Sequence, residues 1–191
     1  MTKTEYILKR CAGKKVLDLG IIQNINKIGH PNWLHDKICE VADVVYGVDL
    51  ADLVLPEKYN YIQHDVEKID EMPYVGHFDI VVAGDIIEHL FNPGMFLENA
   101  KELEFNEMII ATPNVMSPKY WTLGKEKCRD DHTCWYSMKT LTQLLEMKGY
   151  TIIDKSYGFD QKVNGVRPLI KYLIYKLLPQ TGNRLLITAT A

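Results

Sequence analysis

Apolar runs of strand length alternate with amphipathic stretches along nearly the whole chain. Tyr6, Ile7, Leu8 and Cys11 recur at helical spacing in Thr4 to Cys11, and Gly13 follows as a stop, which predicts a short leading helix. Lys15 to Leu19 (KVLDL) reads as a strand buried on both faces and ends at Gly20. Asn32 is placed to cap a helix from Trp33 to about Ala42, with Trp33, Leu34, Ile38 and Val41 as its apolar stripe. The β-branched run Val44 to Val48 then ends at Asp49. Residues 15 to 49 thus form a strand, loop, helix, strand unit.

The alternation continues through strands at Tyr59 to His64, Phe78 to Ala83, Met108 to Thr112, Thr151 to Lys155 and Arg184 to Thr190. Between them, Pro93 suits the first turn of a helix to Leu103, and Ser137 caps an amphipathic helix through Lys148, with Gly149 beyond its end. Val166 to Leu178 is helix-like but interrupted by Pro168. Its stripe of Leu169, Ile170, Leu173, Ile174 and Leu177 reads first as a core-facing helix or a lid, with a dimer surface or shallow membrane contact as alternatives. Seven strands with interleaved helices predict the α/β class: a single doubly wound, mostly parallel sheet with helices on both faces. Ligands in such sheets bind at the strand carboxyl ends, which here are Gly20, Asp49, His64 and Gly84.

At 191 residues the default is one domain, and 47% hydrophobic with 25% charged residues is enough for a full core, which excludes a disordered chain. The 22 basic against 25 acidic residues leave a net charge of −3, so no nucleic-acid partner is expected. Four scattered cysteines imply no disulfide framework and fit a reducing compartment. The opening residues lack an apolar signal core and no run approaches the ~18 apolar residues needed to span a bilayer, so a cytoplasmic location is expected.

The strand-end residues sit in larger motifs. These are VLDLG at Val16 to Gly20, YGVDL at Tyr46 to Leu50, HDVE at His64 to Glu67 and FDIVVAGDIIEHL at Phe78 to Leu90. IIATPN at Ile109 to Asn114 and DHTCWYSMKTLTQLLEMKGY at Asp131 to Tyr150 follow. In this order, over about residues 13 to 155, they resemble the class I S-adenosylmethionine-dependent methyltransferases, and the last two resemble the branch with ubiquinone-type and polysaccharide-pathway enzymes. The resemblance implies a Rossmann-like methyltransferase domain over residues 1–191, with a leading helix at 1–13 and a variable lid or packing insertion at 156–182. It implies S-adenosyl-L-methionine as cofactor, S-adenosyl-L-homocysteine as its product, and a small-molecule or saccharide acceptor. The cofactor residues it implies are Asp18, Gly20, Asp49, Leu50, Asp65, Val66, Gly84 and Asp85. A monomer or homodimer is expected, with peripheral membrane contact through residues 166–178 and no transmembrane segment.

Each position also has a plainer reading. Asp49 can accept ribose hydroxyls or cap a helix, and Asp65 with Val66 can hold adenine or form an Asx turn. One departure stands out, because Gly20 is followed by Ile21, Ile22, Gln23 and Asn24 where the family has more glycines. Either the loop still binds the cofactor or the chain is a non-catalytic methyltransferase-like scaffold; Asp49 and Asp65 favour binding. His89, then His132, are the candidates for orienting or deprotonating an acceptor, since imidazole titrates near neutrality. Glu88 and His89 holding their loop is an equal reading. Trp135 and Tyr136 would wall the acceptor pocket, with core packing of Trp135 an equal reading, and Asn114 would bond the acceptor or end its strand. Cys128, His132 and Cys134 have no recognised zinc spacing and lack a fourth ligand, so no metal is expected. A nicotinamide oxidoreductase is disfavoured because no G-x-G-x-x-G follows the first strand.

Overall fold

The computed structural model describes residues 1–22, 28–73, 76–122, 125–126, 129–160 and 166–191. Its main sheet contains β1 (Lys15–Leu19), β2 (Val44–Asp49), β3 (Asn60–Gln63), β4 (Phe78–Gly84), β5 (Phe105–Pro113), β6 (Thr151–Gly158) and β7 (Arg184–Thr190). Their spatial order is β3, β2, β1, β4, β5, β7, β6, with the first five parallel and β7 antiparallel to both its neighbours. This is the doubly wound sheet that the periodicity predicts. The central strand β4 is buried almost throughout, whereas the edge strand β6 alternates exposed and half-buried positions, the pattern of a strand covered on one face.

Alternate residues of the strands feed two cores. Leu17, Leu19, Val81, Ala83, Met108 and Ile110 face α3 (Pro93–Asn99) and α4 (Met138–Met147), through Phe96, Leu97, Leu141 and Leu145. Val16, Val45, Ile80, Val82, Ile109 and Leu186 face α1 (Lys3–Cys11) and α2 (Leu34–Val41), through Tyr6, Ile7, Cys11 and Ile38. Ser137 caps α4 in a reciprocal pair with Thr140, as expected. Asn32 does not cap α2. Trp33 occupies that position without a side-chain bond to the helix, and its indole N–H donates instead to the Ile21 carbonyl at 2.8 Å.

Three boundaries differ from expectation for local reasons. The helix beginning at Pro93 ends at Asn99 and tightens into a 3₁₀ turn over Ala100–Glu102, β5 starts at Phe105, and β6 runs on to Gly158. Pro168 does not interrupt α5 (Val166–Leu177), because it lies in the first turn, where an N–H has no intrahelical acceptor anyway. The stripe expected to face a core does not: Leu169, Ile170, Leu173, Ile174 and Leu177 are all exposed, by 43 to 81%. α5 is held instead through Tyr175, whose ring stacks on Phe159 at 5.3 Å and whose hydroxyl donates to the Tyr157 carbonyl, with Tyr172 edge-on to Phe159. No helix among the described residues is long and apolar enough to cross a membrane.

Candidate functional site

A crevice of about 810 Å³ opens at the carboxyl edge of the sheet. Gly20, Ile22, Asp49, Leu50, Asp65 and Val66 line one wall; Glu88, His89, Tyr120, His132 and Arg184 line the other. A narrower extension of about 170 Å³ runs past Asp18, Gly84 and Asp85 to Lys3 and Arg184. The eight residues expected to bind cofactor, with His89 and His132, therefore meet at one edge. His64 does not join them, since its Nε2 is held 2.7 Å from the Lys68 carbonyl in an exposed turn.

The first wall is built from strand ends. Gly20 has φ +69°, and a Cβ there would stand 2.6 Å from Ile86 Cδ1, so only glycine fits without displacement. Gly20→Ala is expected to lower stability by about 1–2 kcal/mol, the cost of a left-handed residue with a side chain, and a urea midpoint equal to the parent's would show that the turn relaxes freely. Asp49 accepts the N–H of Ile22 at 2.8 Å through Oδ2 and that of Ala51 at 3.1 Å through Oδ1. The loop is held by a backbone amide on the Asp49 carboxylate; Ile21, 4% exposed, packs with Trp33 and Tyr59 at the side of the narrow extension, and Ile22 lines the main crevice. Gln23 and Asn24 lie outside the described residues. Asp65 caps a 3₁₀ turn over Val66–Glu71 by accepting the Glu67 N–H at 3.0 Å, so the plainer Asx reading holds for one of its oxygens.

Asp18 is committed within the fold. It is 3% exposed and pairs with His35 Nδ1 at 2.9 Å, an ion pair between β1 and α2. Burial alone pushes the imidazole down, but the hydrogen bond and charge of Asp18 outweigh it and hold His35 at about 9. A pKa raised in the folded state adds stability that is fully present below the unfolded value, 6.5, and is lost as pH rises through about 9. Urea midpoints are therefore expected to fall over that interval, and His35→Gln is expected to flatten the fall; parallel profiles would exclude this pair as its origin.

At the end of β4, Asp85 holds φ +60°, unusual for a residue with a side chain. It is fixed there by Lys3 Nζ and Arg184 Nη1, each at 2.6 Å, while Arg184 Nε reaches Asp160 at 3.1 Å. Sequence reasoning missed Lys3, Arg184 and His35. The first two lie 82 and 99 residues from their partner, and Arg184 is outside the segment of family resemblance.

On the second wall, Glu88 is 2% exposed and accepts from Thr112 Oγ1 at 2.7 Å. Burial, aided by the nearby charge of Asp85, pushes its carboxyl up to about 7. His89 Nδ1 lies 2.9 Å from the Asp131 carbonyl, and the His132 ring stands perpendicular to it at 4.8 Å. His132 is shifted down, by burial and then by His89. Glu88 and His89 thus do hold their loop, and they also face the crevice. Asn114 is fully used in the fold: its amide donates to the Gln180 and Gly182 carbonyls and its oxygen accepts the Met116 N–H, which supports the strand-end reading. Trp135 packs edge-on to Tyr120, and Tyr136 lies in the core rather than on the crevice wall. Cys128 lies outside the described residues, and Cys134 is not part of the cluster formed by Glu88, His89 and His132.

No protein-family model and no curated protein sequence matches the chain. Solved structures do share its fold. A SAM-dependent methyltransferase from Archaeoglobus fulgidus superposes with a TM-score of 0.65 at 16% identity, over 98% of this chain and 90% of that one. A Burkholderia thailandensis 1,6-didemethyltoxoflavin-N1-methyltransferase, solved with its acceptor and S-adenosylhomocysteine, gives 0.59 at 16% identity over 98% and 76%. The cyclase SpnF gives 0.64 at 12% identity over 98% and 79%. The chain therefore has the fold found in SAM-dependent methyltransferases. The cyclase shows that this fold hosts other reactions, so the reaction has to be argued from the site.

Proposed function

We propose that this chain is an S-adenosylmethionine-dependent methyltransferase acting on a small-molecule or saccharide-type acceptor, of the ubiquinone-type and polysaccharide-pathway kind. The observation that carries this reading is the sequence of groups at three successive strand ends around one crevice: the left-handed Gly20 after β1, the Asp49 carboxylate at the end of β2, and Asp65 with apolar Val66 after β3. The donor set suits the cofactor. A carboxylate has about four acceptor sites, so Asp49 can take ribose hydroxyls while still holding two amides. Asp65 has a second oxygen for an exocyclic amine, beside the apolar surface of Val66. The narrow extension carries Asp85 and Asp160 beside Lys3 and Arg184, and charges of both signs there suit the ammonium and carboxylate of an amino-acid end.

S-adenosylmethionine supplies a methyl group on a positively charged sulfur, already activated for displacement. What remains for the protein is alignment, exclusion of water and management of the acceptor's proton. The tautomer of His89 follows from its partner: Nδ1 faces a carbonyl and must donate, which leaves the Nε2 lone pair for an acceptor hydroxyl. The carboxylates of Asp49 and Asp65, set at successive strand ends beside one crevice, weigh against the scaffold alternative. The exposed stripe of α5 supports peripheral contact with a lipid surface, which fits an apolar acceptor.

The test is transfer of label from methyl-tritiated S-adenosylmethionine to hydroxyl and amine acceptors. Release of S-adenosylhomocysteine in step with labelled acceptor is expected. Cofactor binding with no release against any acceptor would return the scaffold reading.

A further inference from the structure

We infer that Glu88, His89 and His132 form a site for a first-row divalent transition-metal cation on the acceptor wall of the crevice. One ligand atom from each lies within 4.8 Å of the others. Ligands bonded to one cation at about 2.1 Å stand roughly 3 to 4.3 Å apart, so closure requires shifts of about an ångström or less. The three residues come from two chain segments, the loop after β4 and the loop before α4, which are tied together by the Thr133 N–H on the Glu88 carbonyl at 2.8 Å.

Each ligand is already prepared for coordination. His89 Nδ1 is fixed on the Asp131 carbonyl, the outer partner that metal-bound imidazoles use, so Nε2 presents its lone pair. Glu88 has an oxygen held by Thr112 and a second one to offer, in a position buried enough that a lone negative charge is disfavoured. His132 Nδ1 is buried with no hydrogen-bond partner, an unsatisfied atom that a cation beside it would satisfy. The donor set also selects the metal. Two imidazoles and one carboxylate suit the manganese-to-zinc series, whereas magnesium and calcium prefer all-oxygen cages. Three protein ligands leave coordination positions open toward the crevice. There a cation would bind an acceptor oxygen and lower its pKa, in place of a proton-taking imidazole.

The cation's use in methyl transfer rests on the proposed function; its binding does not. The test is therefore calorimetric titration of untagged, chelator-stripped protein with Mn²⁺ and Zn²⁺, and optical titration with Co²⁺, all without S-adenosylmethionine. One equivalent is expected to bind. Glu88→Gln and His132→Ala are expected to weaken it at least as much as loss of the outer partner in Thr112→Val, which should cost roughly 10- to 100-fold. Circular dichroism and S-adenosylhomocysteine affinity identify variants that stay folded, and Thr112→Val supplies the reading if a ligand variant does not. Stoichiometric binding that these variants weaken supports the site even if no acceptor is ever methylated. Absence of stoichiometric binding, or equal affinity in parent and folded variants, overturns it, even if methyl transfer persists after chelation.

Discussion

His89→Ala is expected to lower turnover by roughly 10²- to 10⁴-fold while leaving S-adenosylhomocysteine affinity nearly unchanged. The expectation comes from the two faces of one ring. Nδ1 joins the loop after β4 to Asp131, 42 residues away, and His89 lines the same crevice as Gly20, Asp49 and Asp65. Removing it takes away the lone pair offered to the acceptor, or to a cation that holds the acceptor, and leaves the cofactor wall intact. His89→Asn separates chemistry from architecture. Its amide can donate to the Asp131 carbonyl but offers no nitrogen lone pair, so turnover should stay as low as in the alanine variant. Recovery in the asparagine variant would reduce His89 to a structural tie.

Asp49→Ala is expected to weaken cofactor binding by about 1.5 to 3 kcal/mol, roughly 10- to 150-fold, from loss of charge-assisted hydrogen bonds. The carboxylate has two roles in the structure, as the acceptor facing the crevice and as the anchor of the Ile22 and Ala51 amides. Alanine removes both. Asp49→Asn keeps one oxygen for the loop and loses the charge, and its affinity should fall between those of parent and alanine variant. Calorimetry showing one affinity for all three proteins would remove Asp49 from the site.

What could be read from the chain was what local patterning encodes. Strands β1, β2 and β4 are apolar runs that end at Gly20, Asp49 and Gly84, so the positions of these three residues at one sheet edge follow once the parallel topology is inferred. Helix α4 declares itself through Ser137 and Gly149. Pairings between distant charges have no such signature, because nothing in the neighbourhood of Lys3, Asp85 or Arg184 specifies that the three will meet. The loop after Gly20 was open to two readings for a related reason. A shortage of glycine does not by itself say where Ile21 packs, and its partners Trp33 and Tyr59 lie 12 or more residues away. In α5 the apolar stripe was identified correctly, and of its readings the core-facing one fails. Periodicity reports that a helix has an apolar face, not whether the sheet still has a free face to receive it.

The central claim is that the crevice beside Gly20, Asp49 and Asp65 holds S-adenosylmethionine, and a crystal soaked with S-adenosylhomocysteine tests it most directly. The account predicts continuous density with the ribose on Asp49, the adenine between Asp65 and Val66, and the methionine end running past Gly20 toward Gly84. An empty crevice at millimolar ligand, in a folded protein whose crystal leaves that edge of the sheet open to solvent, would contradict it.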